Sequence, residues 1–67
     1  MKSSNLQELR DQCGNSNNKD KLIYTDFAFD LVCDQDDWES DWAAMLHFAK
    51  HNSVKGIVFT DWQIHLQ

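Results

Sequence analysis

Apolar residues recur along this chain with two different periods. Over residues 5–13, Leu6, Leu9 and Cys13 fall on one face of a helix, with Asn5 as a candidate cap and Glu8 at the capping-box spacing. Gly14 follows as a stop, and Gly14-Asn15-Ser16-Asn17-Asn18 opens a loop over 14–20 that is expected to be mobile. Residues 21–33 alternate: Ile23, Thr25, Phe27, Phe29, Leu31 and Cys33 point one way, while Leu22, Tyr24, Asp26, Ala28, Asp30 and Val32 point the other. Period two predicts a long strand over 21–33, with room for a bulge or turn. The helical period returns over 37–51, where Trp38, Trp42, Met45, Leu46 and Ala49 form a stripe with Phe48 at its edge. Asp36 is the candidate cap with Glu39 at the capping-box position; Lys50 and His51 end the helix, and Asn52 is a stop. Residues 54–66 read as strand again, with an apolar phase slip near Thr60-Asp61 that marks a bulge or short turn. The pattern predicts an α/β domain, with α+β as the alternative, in the order α-β-α-β. Two long strands pack against an amphipathic helix, and parallel if that helix crosses between them.

Length narrows the reading. Sixty-seven residues allow one domain, spanning 1–67, and one modest core. Before any stapling such a core supplies ~3–5 kcal/mol. That argues against an elaborate active site and makes a homodimer, which shares apolar surface, an attractive alternative. A hydrophobic content of 42% with no proline is not a disordered composition. No apolar run approaches the ~20 residues that span a bilayer, and Met1-Lys2-Ser3-Ser4-Asn5 lacks the apolar core of a signal peptide. A cytoplasmic location without membrane association is therefore expected, with Cys13 and Cys33 as free thiols.

Charge changes the picture more. The net charge is −5, which disfavours direct contact with nucleic acid. Between Leu22 and Ala49 there is no Lys or Arg, yet the stretch holds Asp26, Asp30, Asp34, Asp36, Asp37, Glu39 and Asp41. On an extended strand Asp26, Asp30 and Asp34 would share a face at intervals of ~13 Å. Asp37, Glu39 and Asp41 would carry the negative field onto the first helical turn. Such a belt attracts a basic partner, with carboxylates standing where phosphates would in one version; otherwise it is a solvated face that complements the helix dipole. Three tryptophans are many for this length. Trp42 suits the core, whereas Trp38 and Trp62 are the candidates for an aromatic anchor beside the carboxylates.

Other chemistry has less support. Asp34-Gln35-Asp36-Asp37 opens like an EF-hand loop, but Glu39 replaces the glycine at the sixth position and Met45 the glutamate at the twelfth. His47 and His51 share a helical face at metal-pair spacing, and a third ligand would have to come from elsewhere, such as His65. Cys33 adjoins Asp34 and Cys13 ends a helix, and both settings suppress a thiolate. Gly14 and Gly56 are isolated and build no phosphate loop.

The stretch from Val32 to Leu46, Val-Cys-Asp-Gln-Asp-Asp-Trp-Glu-Ser-Asp-Trp-Ala-Ala-Met-Leu, resembles the N-terminal motif of the nucleoside hydrolases. That family has a strand ending in Asp-x-Asp, a Pro-Gly-x-Asp-Asp turn and an Ala/Leu-rich helix, then a strand that Gly56-Ile57-Val58-Phe59-Thr60 is similar to. The resemblance covers about half the chain, over 31–60. It implies Asp36 and Asp41 as Ca²⁺- and ribose-site carboxylates, with Asp36 also as the water-activating base, and makes Asp34, Asp36 and Asp41 the candidate metal residues. Ser40 stands where the family has the first aspartate of its pair, and Asp37-Trp38 where it has Pro-Gly.

The leading expectation is a non-enzymatic acidic binding protein, an inhibitor or modulator docking on a basic protein surface, in one version that of a nucleic-acid-binding protein. In size and charge it resembles the small inhibitors carried by phages and mobile elements. The binding residues would be Asp26, Asp30, Asp34, Asp36, Asp37, Glu39 and Asp41 with Trp38 and Trp62, and no cofactor is required. The alternatives are a Ca²⁺-binding, nucleoside-hydrolase-like βαβ fragment and a homodimeric assembly protein whose long strands pair across a two-fold axis.

Overall fold

A computed structural model describes residues 5–66. Helix α1 (Asn5–Cys13) buries Leu6, Leu9 and Cys13, the stripe its spacing predicts. It ends with the Gly14 N–H donating to the Arg10 carbonyl at 3.0 Å. Gly14 does not take the left-handed conformation expected of a helix-stopping glycine, since no glycine has a positive φ. The following loop is tied down by its asparagines. Asn15 Oδ1 accepts from the Asn17 N–H at 2.9 Å, opening a 3₁₀ turn over Ser16–Asn18, and Asn18 Nδ2 donates back to the Gln12 carbonyl at 2.8 Å.

Strand β1 spans only Leu22–Tyr24, a correction to the strand expected over 21–33. Residues 30–33 are instead the short helix α2 (Asp30–Cys33). The sheet explains the difference. Strand β2 (Gly56–Val58) pairs parallel to β1 in the register Leu22↔Gly56, Ile23↔Ile57 and Tyr24↔Val58. After the Thr25 N–H reaches the Val58 carbonyl at 2.8 Å, β2 ends and the ladder has no further partner for the chain. Backbone groups without a ladder must pair locally, and a helical turn does so. Burial follows: Val32 is wholly buried while Leu31 is 46% exposed, the reverse of what the alternating pattern assigns.

Helix α3 (Trp38–His51) buries Trp42, Met45 and Ala49 and packs Trp38, Leu46 and Phe48 against the core. Its N-cap is Asp37, not Asp36. Asp37 sits in the left-handed region at φ 57° and makes no side-chain cap bond, because capping requires an extended backbone at that position. The other end is well closed. The Ser53 N–H donates to the Lys50 carbonyl and the Val54 N–H to the Ala49 carbonyl, both at 3.0 Å, with Ser53 left-handed at φ 63°. This is a Schellman closure, in which Val54 and Ala49, both fully buried, supply the accompanying apolar contact.

The single strand expected over 54–66 is two. Strand β3 (Gln63–His65) turns back antiparallel on β2, and the Phe59 N–H donates to the Trp62 carbonyl at 2.7 Å across the Thr60-Asp61 turn where the apolar phase slips. The sheet order is β1-β2-β3. Ile23, Ile57 and Ile64 align across it and face the core, whereas Tyr24, Gln63 and His65 lie exposed on the other face. One core joins sheet and helices. Each fully buried aliphatic side chain contributes about 1.5–3 kcal/mol. The α/β reading holds, with α-β-α-β extended to α-β-α-α-β-β, and the two long strands replaced by three short ones.

Candidate functional site

The loop between β1 and α2 carries the chain across the hairpin turn and is stitched to it. Thr25 Oγ1 donates to the carbonyls of Phe27 and Val58 at 3.0 and 3.3 Å, and the Thr60 N–H donates to the Phe27 carbonyl at 3.3 Å. Asp61 Oδ1 accepts from the Phe29 N–H at 2.9 Å. These bonds drive Phe29 into a ring cluster. Its centroid lies 5.0 Å from Trp42, 5.2 Å from Phe59, 5.9 Å from Trp38 and 4.6 Å from Trp62. Tilted and edge-on pairs of this kind contribute about 0.5–1.5 kcal/mol each beyond area burial. Trp42 is buried and Trp38 half-buried, while Trp62 stays 46% exposed at the rim, backed by Phe29 and by Phe59 with its ring nearly parallel.

Asp30 and Asp34 lie one helical turn apart, the Asp34 N–H donating to the Asp30 carbonyl at 3.1 Å, not ~13 Å apart along a strand. Like charges at that spacing repel by a few tenths of a kcal/mol. Their fields meet at Cys33, which is half-buried and next to both. Burial first, then the charges of Asp30, Asp34, Asp61 and Glu39, push the Cys33 thiol above its usual range. Carboxylates from α2, the hairpin turn and the start of α3 thus all contribute to the negative field at this thiol. Among the described residues none of the four has an ion pair, and Asp61 alone has a side-chain hydrogen bond.

Asp26, Asp36 and Asp37 are exposed on the turns that flank α2. Asp41 faces elsewhere. With Leu6, Gln7, Arg10 and Met45 it lines a groove of about 240 Å³ between α1 and α3. The belt of seven acids therefore does not form one surface. Asp61 contributes to the field at Cys33 although it lies outside the lysine- and arginine-free stretch. The signal that could have found it is its place in the predicted turn, immediately before Trp62.

The other candidate residues do not assemble. His47, His51 and His65 are all exposed. Among the described residues, no three His, Cys, Asp or Glu side chains are grouped as metal ligands, Asp34, Asp36 and Asp41 included. Val32 and Cys33, placed at a strand end by the nucleoside-hydrolase resemblance, are helical. Both cysteines are free; burial raises Cys13 from its usual 9.0 to about 11. The edges that assembly through β-pairing would use, on β1 and β3, are three residues long each. No helix among the described residues is long and apolar enough to cross a membrane. Compared with known proteins, the chain matches no family model, no curated protein and no solved structure.

Proposed function

We propose that this protein is a small acidic binding module whose face around Cys33 and Trp62 docks on a basic surface of a partner protein, acting as an inhibitor or modulator of that partner. One observation carries the reading. Asp30, Asp34, Glu39 and Asp61 add to one negative field at Cys33 with no ion pair among the described residues, and Asp61 directly precedes Trp62, which is 46% exposed. A fold this small gains nothing from gathered like charges, whereas a basic partner is steered by them and anchored by the indole. No catalytic role is assigned. Burial first, and then the neighbouring carboxylates, raise the pKa of the Cys33 thiol, which makes it a weaker nucleophile at neutral pH.

The test is affinity capture from native lysate at low salt, with the immobilised chain run beside an Asp30→Lys/Asp34→Lys/Glu39→Lys variant. The expected result is a basic protein retained by the native chain, released as salt rises past ~0.3 M, where the Debye length shrinks to a few ångströms, and not retained by the variant. Equal retention by both chains, or retention insensitive to salt, would contradict the proposal.

A further inference from the structure

We infer that the exposed face of Trp62 is a platform for an arginine side chain of the partner, so that the surface selects arginine-bearing over lysine-bearing segments. The inference rests on the docking reading above and narrows it to one side-chain chemistry. Trp62 is 46% exposed, and its indole is braced from within by Phe29 at 4.6 Å and by the nearly parallel Phe59 at 6.3 Å. It is therefore held in place before any partner arrives and loses little freedom on binding.

Asp61 precedes it in the chain and is fixed through Oδ1 to the Phe29 N–H, while Oδ2 accepts no hydrogen bond among the described residues. A flat π-face next to the Asp61 carboxylate matches a guanidinium, which stacks through its plane and donates from its edge. An ammonium is a compact, strongly hydrated charge with no plane to stack. The chain already uses this pairing internally, where the Arg10 guanidinium lies over the Phe48 ring at 5.2 Å.

The experiment titrates ¹⁵N-labelled full chain with hexa-arginine and with hexa-lysine peptides at low salt, following the Trp62 indole N–H and the affinity of each. The expected result is a shift of the Trp62 indole resonance by hexa-arginine and about two- to fivefold tighter binding of that peptide, the weight of one exposed cation–π contact. A Trp62→Leu variant should bind both peptides equally, and Asp61→Asn, which keeps the Oδ1 acceptor, should reduce the preference without unfolding the chain. Equal binding of the two peptides with no indole shift, while Asp30→Lys/Asp34→Lys/Glu39→Lys weakens both, would overturn the arginine inference and leave the docking reading standing. Binding of neither peptide would overturn both. The indole shift is read on the native chain, so the result does not depend on any variant folding.

Discussion

Replacing Gly56 by alanine puts a methyl group at the centre of the sheet. A Cβ there would stand 2.5 Å from the Ile64 carbonyl oxygen and 2.9 Å from Leu22 Cδ2. The leucine tip can move, but the carbonyl belongs to the backbone of β3 and is held by the ladder, so the strands must part. Overpacking of this kind costs about 1–3 kcal/mol. Against a core that supplies ~3–5 kcal/mol, that is about a fifth of the total or more. Taking about 2 kcal/mol, the melting temperature should fall by roughly 8–16 °C, at ~4–8 °C per kcal/mol for a domain this size. Urea unfolding followed by tryptophan fluorescence, with melting by circular dichroism, would measure it. Gly14→Ala is the matched control. Its Cβ would meet Phe48 Cζ at 3.5 Å, an ordinary contact, and no glycine here has a positive φ. A Gly56→Ala variant within ~0.5 kcal/mol of the native chain, the range of ordinary surface changes, would refute the argument that the β2–β3 approach admits no side chain.

Other consequences concern the thiols. Cys33 is a built-in reporter of the acidic face: Asp30→Asn should speed its alkylation at pH 8 by about twofold, the effect of one screened unit charge several ångströms away, as should added salt. An unchanged rate, measured by mass spectrometry, would mean that the carboxylates do not act on it. Burial raises Cys13 from 9.0 to about 11, so the folded chain holds a proton that the unfolded chain releases first. The resulting stability is fully present below pH ~9 and is lost as pH rises toward ~11. Urea midpoints measured across that window should fall, and a Cys13→Ala variant should lose most of the slope at the cost of a lower starting stability; a native chain with a flat profile would contradict the assignment.

The two longer helices, α1 and α3, are legible because their stripes are set by local spacing. Leu6, Leu9 and Cys13 in α1, and Trp42, Met45 and Ala49 in α3, are buried as the period of 3.6 requires. The strands were legible only where a partner exists. Residues 25–33 alternate as well as 22–24 do, but alternation cannot reveal that β2 stops at Val58, and that stop decides where β1 ends. Apolar residues in a short loop that returns to the core can alternate without being a strand, as Phe27 and Phe29 do. The same limit governed the site. Acidic character was visible residue by residue, and Trp62 at the surface was anticipated. The separation of Asp41 from Asp30 and Asp34, and the recruitment of Asp61, depend on which way α2 and the hairpin turn face. The unassisted N-cap at Asp37 escaped as well, since a left-handed aspartate has no pattern of its own in sequence.

The central claim is the location of the docking surface. The most direct measurement is the amide and indole NMR footprint of whichever basic protein the low-salt capture retains, recorded on the labelled native chain. The account predicts shifts centred on Asp30, Cys33, Asp34, Glu39, Asp61 and the Trp62 indole, fading as salt is raised. A footprint centred instead on the open sheet face at Tyr24, Gln63 and His65, or on the outer face of α3 at His47 and His51, would contradict it.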